Sequence, residues 1–350
     1  MKKYVLAVFL GLCCLYGQAN DSTASFLYDV DFTTYFDNRE YNGHYNHSQT
    51  IFNFRLTPSV GVGFKDHLGG YHSVQAGVSY TQPMGGDWKD VRFDPLAYYQ
   101  LQYKGFGFAM GAIPYTQRLF KLPDYLMYDS IAYYRPQIQG ALIQYASDKG
   151  FVEAMLDWRG LQTPKRREMF RIAINGEFQH KCLALGGIAY LNHKANYADP
   201  TPREGVNDDI YLNPYISGNF GRLTPLDTLS IRAGYIWGYQ NDRPNNDLQL
   251  QHGGLVEVML SWRFLGLRNT TYFGENQMPH YPQFGADLNQ GDPFYQSTFY
   301  NRTDLILNIY KTSFVHCFFS WNMHYDTYSL QHQQYIIVHF SLDKLKKSLK

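Results

Sequence analysis

The sequence predicts an all-β chain that closes into a transmembrane, antiparallel, up-and-down β-barrel of about sixteen strands. Three observations carry that prediction. A two-residue alternation of apolar against polar or small side chains recurs from about residue 26 to residue 342. The connections between these stretches alternate between long and short. Finally, no later stretch stays apolar for the roughly 18 residues that a spanning helix needs, yet 17% of residues are aromatic, with 31 Tyr and 24 Phe.

The alternation is clearest over 50–64. There Phe52, Phe54, Leu56, Pro58, Val60, Val62 and Phe64 alternate with Asn53, Arg55, Thr57, Ser59, Gly61 and Gly63. Successive strand side chains point to opposite faces, so such a segment has one oily face and one wet face. Sixteen candidate strands follow, near 24–37, 50–64, 71–82, 94–104, 106–115, 138–146, 151–159, 168–180, 182–192, 209–220, 228–240, 254–264, 266–274, 300–310, 313–324 and 333–343. Those at 138–146, 182–192 and 266–274 are poorly patterned. Pro58, Pro114 and Pro214 lie within or at the ends of candidates, where a missing N–H predicts a bulge or a slack ladder.

The N-terminus reads as a signal peptide over residues 1–19: Lys2 and Lys3, an apolar run Tyr4 to Leu15, then Gly17-Gln18-Ala19. A lipoprotein reading on Cys13 and Cys14 is disfavoured by Leu12, which stands where that signal takes a small residue. Residues 20–343 form the barrel, and 344–350 are a basic tail carrying four lysines. Cys182 and Cys317 are too few and too far apart for a disulfide framework. A formal net charge of +1 gives no reason to expect nucleic acid as a partner.

Long connections are read at Asp37–Gln49, Pro83–Phe93, Pro114–Gln137, Gly160–Arg167, His193–Asp208, Asn241–Gly253, Glu275–Phe299 and Tyr325–His332. Short ones, such as Lys104-Gly105, lie between them. Starting the first strand in the periplasm places every long loop outside the cell and both termini inside. With this even strand number, the chain resembles a Gram-negative outer-membrane β-barrel of the porin-like type over its whole mature length. The last strand, Tyr335 to Leu342, resembles the segment such proteins present to the barrel assembly machinery, although the lysine tail follows it. The resemblance implies contact with outer-membrane lipid and lipopolysaccharide.

Sixteen strands enclose a lumen wide enough for water. Parity places Arg55, Glu153, Asp157, Arg171, Arg232, Glu257, Arg263, Arg302 and Asp304 on its wall. Mixed signs predict weak ion selectivity and ion pairs that brace neighbouring strands. The expected function is passive diffusion of small hydrophilic solutes. The alternative is a plugged anchor whose long loops hold glycans or partners. For the latter, Tyr281, Phe284, Asp287, Asp292, Phe294 and Tyr295 are the candidate contacts, against a plain reading as loop packing or a pore-narrowing plug.

His44 and His47 have chelating spacing but nothing to complete a site, so neither a metal nor a cofactor is expected. His316, Ser320, Asn322 and His324 could suggest a barrel hydrolase. Same-face neighbours on one strand are about 7 Å apart, however, too far for a relay without help from the next strand. No nucleophile elbow or zinc-protease motif appears. An enzyme is not expected.

Overall fold

A computed structural model describes residues 24–199 and 205–343. The expected signal peptide (1–19) and basic tail (344–350) lie outside the described residues. Sixteen antiparallel strands close into one barrel: β1 Ser25–Glu40, β2 Gln49–Lys65, β3 Tyr71–Pro83, β4 Arg92–Tyr103, β5 Phe106–Pro114, β6 Gln137–Ser147, β7 Gly150–Gly160, β8 Met169–His180, β9 Leu183–Lys194, β10 Asn207–Asn219, β11 Thr228–Asp242, β12 Asp247–Trp262, β13 Leu265–Gly274, β14 Phe299–Lys311, β15 Val315–Tyr325 and β16 Leu330–Ser341. Each strand pairs with its sequence neighbours. β1 meets β16 from Asp31↔Ser341 to Glu40↔His332, which leaves no free edge.

The outer face carries the oily parity, with Val60 at 54% exposure and Leu185 at 65%. Such a surface is stable only against hydrocarbon or another oily surface. Trp158, Tyr235, Trp237, Trp262, Trp321 and Tyr325 also stand exposed there, as interfacial rings do. Tyr98, by contrast, points inward and is buried.

The prolines act as their chemistry requires. Between β2 and β3, pairing stops after Leu56↔Tyr80 and resumes in the same register at Ser59↔Gly77. Between β10 and β11 it skips from Leu212↔Trp237 to Tyr215↔Gly234. Pro58 and Pro214 therefore loosen one side of their strands without a bulge, while their other ladders run on.

Ser25 and Ser341 mark one end of the barrel, the near end. Its turns include Lys104-Gly105, where both residues have positive φ (45° and 81°) and the chain reverses in two residues. Two connections at the far end are shorter than the sequence suggested. Strands β11 and β12 continue to Asp242 and Asp247, so Asn241–Gly253 is a hairpin closed by Arg243–Asn245 rather than a long loop. The strands likewise overrun Tyr325–His332, because backbone pairing persists where the side chains have become polar.

The inner face departs from a simple wet wall. Ile113, Ile138, Leu142, Met155, Ala173, Ile188, Ile236 and Leu255 all point inward and are at most 4% exposed. What covers them is loop.

Candidate functional site

Two segments turn into the lumen: 115–136, between β5 and β6, and 275–298, between β13 and β14. Their apolar residues make a second, internal core. Leu122, Tyr125, Leu126 and Met127 of the first, with Met278, Phe294 and Tyr295 of the second, join the inward aliphatic residues in one buried cluster. Complete burial of a side chain of this size contributes roughly 1.5–3 kcal/mol, so these loops are held as firmly as protein interior. Phe294 stacks on the His324 ring (5.0 Å between centroids), and Tyr295 meets Tyr300 edge-on at 5.0 Å.

The loops also bond to each other. Tyr128 N donates to Gln290 O, and Asp292 N donates to Asp124 O, each at 2.8 Å. Gly291 lies between these contacts, and a Cβ there would stand 2.0 Å from the Tyr125 carbonyl oxygen. Only glycine permits that approach.

Charged wall residues hold the assembly from several sides. Asp124 reaches Arg302 Nη1 at 3.0 Å and Arg268 Nη2 at 3.4 Å, and both arginines also contact Asp304. Burial works against ionisation of Asp124, but the two guanidiniums hold its carboxyl well below the usual carboxylate range. Glu153 accepts from Arg118 Nε at 2.8 Å and from Leu119 N at 2.7 Å. Asp157 accepts from Tyr115 Oη at 2.5 Å and from Arg171 Nε at 2.9 Å. Across the barrel, Tyr211 Oη donates to Gln277 O at 2.6 Å, and His280 N donates to Gln240 Oε1 at 3.0 Å. Asn192 Nδ2 donates to Leu288 O, and Arg39 Nη1 donates to Tyr128 Oη at 2.7 Å.

The sequence-predicted wall residues are placed as follows. Arg55 faces the lumen, its guanidinium over the Tyr35 ring and 3.3 Å from Tyr133 O. Arg232 and Glu257 face the lumen as a register pair bonded at 3.1 Å. Glu153, Asp157, Arg171, Arg302 and Asp304 face inward but are sealed under the loops, at most 1% exposed. Arg263 is a correction: it occupies the β12–β13 turn with φ 54° and lies over the Trp262 ring, off the wall. The strand ends one residue before it.

The predicted loop contacts divide. Phe284 is half-buried and Asp287 exposed; Asp287 pairs with Lys194 Nζ at 3.0 Å. Tyr281 is half-buried against the internal core. Asp292, Phe294 and Tyr295 are corrections: placed by sequence in an outer loop, they are buried inside the barrel. Burial raises the Asp292 carboxyl to about 7. Ser320 and His324 also point inward, fully buried. His324 Nδ1 lies 2.7 Å from Tyr300 Oη and its Nε2 3.2 Å from Gln333, while Ser320 bonds to Asn322. No group of three or more His, Cys, Asp or Glu converges as a metal site among the described residues.

A model of the lipid A 3′-O-deacylase type matches residues 18–192, half of the chain. The chain belongs to that family. The matched part runs as far as Asn192 in β9, so it contains loop 115–136 but not the loop that packs against it. No curated protein sequence matches this member of the family.

Similar solved structures are porin barrels. OmpF of Salmonella typhi shares 8% identity with a TM-score of 0.54, covering 90% of this chain and 97% of that one. OccK2 of Pseudomonas aeruginosa gives 10% and 0.53, covering 92% and 97%. OprB of Pseudomonas putida gives 7% and 0.52, covering 90% and 94%. At such identities the likeness is one of fold. The family member described here folds as a porin-like β-barrel.

Proposed function

We propose that the barrel is a channel for passive diffusion of small hydrophilic solutes, with the two infolded loops setting its size limit. One observation carries this reading: the sixteen-strand lumen is narrowed by loops rather than by wall side chains. A strand cannot leave the wall, whereas a loop anchored at both ends can undock. In this reading the near end faces the periplasm and the far-end loops face outward. Lipid and lipopolysaccharide surround the oily face, and β16 is the strand offered to the assembly machinery. Purified protein in planar bilayers should give stepwise conductance with a sharp solute-size cut-off. A barrel that stays silent even after its loops are loosened would instead be a sealed anchor.

Family membership favours a second reading, ester cleavage in lipid A. Ser320 and His324 are poorly suited to it, being fully buried with both imidazole nitrogens occupied. A better place is the outer face near the far rim. There His193 Nδ1 lies 2.6 Å from Asp208 Oδ1, and Arg243 holds the other carboxylate oxygen at 2.5 Å. Phe170 and Trp158 continue the row as stacked rings. A carboxylate-oriented imidazole can act as general base towards water. Mass spectrometry of lipopolysaccharide incubated with the protein should then show loss of an acyl chain, abolished by His193→Ala. Unchanged lipopolysaccharide would remove this reading.

A further inference from the structure

The two loops leave space inside the barrel, including one large chamber at the near end. It lies against β1 to β4, encloses about 640 Å³ and is roofed by the root of loop 115–136. Its size falls within the roughly 300–1,000 Å³ of small-molecule sites. The lining is rich in one side chain: Gln75, Gln100, Gln102, Gln117 and Gln137 all contribute. Gln137 is 5% exposed, donates to Ser79 Oγ at 3.2 Å and leaves its own Oε1 without a partner at the roof. Gln100 and Gln117 touch at 3.3 Å, while Gln75 is half-buried and Gln102 exposed.

Of the four charged residues in the lining, Asp29, Asp31, Arg55 and Asp343, three have partners that are directly seen. Asp31 bonds to His339 at 2.5 Å, Asp29 accepts from Asp343 N at 2.9 Å, and Arg55 is held by Tyr35 and Tyr133. Apart from these, the polar lining is mostly amide and hydroxyl. A primary amide offers a donor and an acceptor side by side, which matches a hydroxyl, itself both donor and acceptor. Tyr71, half-buried, adds an aromatic side chain to the lining.

We infer that this chamber is a binding site for a neutral saccharide of disaccharide size, entered from the near end. The inference rests on the channel reading and names the solute class for it. The test is titration calorimetry of the detergent-solubilised full chain with maltose and sucrose, with glycylglycine as the comparison solute. The disaccharides should bind and the dipeptide should not. Gln75→Leu combined with Gln102→Leu should weaken disaccharide binding about tenfold or more; Gln75→Leu alone, at the half-buried position, should weaken it less. Absence of disaccharide heat, equal binding of the dipeptide, or an unchanged double variant would overturn the inference. Calorimetry is independent of conductance: a conducting barrel that binds no sugar refutes the site and keeps the channel, and a sugar-binding barrel that never conducts does the reverse.

Discussion

Replacing Asp124 by Asn tests whether the internal assembly is held by its ion pairs. Asp124 is 11% exposed and bonds to Arg302 and Arg268 at 3.0 and 3.4 Å. Removing one member of a buried ion pair costs about 3–5 kcal/mol. Asp304 remains to compensate both arginines, at 2.8 Å from Arg302 and 2.6 Å from Arg268, so the loss falls at the lower bound. A cost of about 3 kcal/mol shifts docking of loop 115–136 roughly a hundredfold toward release. The barrel itself keeps all sixteen ladders, so its heat-modifiable migration in gels should not change. Single-channel recording should show more frequent or larger openings, and trypsin should cut at Lys121 faster than in the parent. Identical openings and identical trypsin resistance would refute the argument that this carboxylate pins the loop.

Other substitutions probe the same assembly. Gly291→Ala drives a methyl group into the Tyr125 carbonyl and should part the two loops, raising conductance; an unaltered current would contradict the close approach. Leu142→Ala opens a void between the β6 wall and the loops, and should destabilise loop docking by about 2–5 kcal/mol, read as faster hydrogen exchange within 122–128. For Asp292, the native carboxyl binds its proton more tightly than the unfolded one. That stabilisation is complete below the ordinary carboxylate range and fades as pH rises through about 7. Conductance should therefore rise between about pH 4 and about pH 7, and Asp292→Asn should flatten the rise. Ser320→Ala should leave any lipid A cleavage intact, since its hydroxyl is sealed from both lipid and water; loss of cleavage would restore the buried serine as a candidate.

The barrel was legible because its outer face obeys one rule. Hydrocarbon favours an apolar side chain at every second position, and most of the sixteen segments supply it; Asn269 and Thr271 of β13 with Asn301 and Thr303 of β14 are a polar exception. The inner face obeys no single rule, and there the sequence reading weakened. Strands β6, β9 and β13 looked poorly patterned for a physical reason. In β6 and β9, Ile138 and Leu142, and Ile188 and Tyr190, point inward onto loop instead of water, so both parities are largely apolar or aromatic; in β13 Tyr272 does the same, while Asn269 and Thr271 break the outward parity. That defect was itself the signal for internal packing.

A second signal lay in the loops. Leu122, Tyr125, Leu126 and Met127 are too apolar for a solvated connection, and Phe294 and Tyr295 repeat the pattern in the other infolded segment. Read as surface rings, Phe294 and Tyr295 suggested glycan contact. Matched with inward aliphatics on the wall, they describe a plug. Arg263 was misplaced by carrying the alternation one residue beyond the end of β12. The Asp124–Arg302 and Glu153–Arg118 pairs join residues distant in sequence, which spacing alone does not reveal.

Hydrogen exchange resolved by peptide gives the most direct test of how this lumen is built. If segments 122–128 and 288–296 are packed core, the Tyr128 and Asp292 amides, bonded across the two loops, should exchange about as slowly as strand amides in β12. Exchange there as rapid as in the exposed far-end connection 84–91 would mean that the loops hang free, and that nothing but wall side chains narrows the barrel.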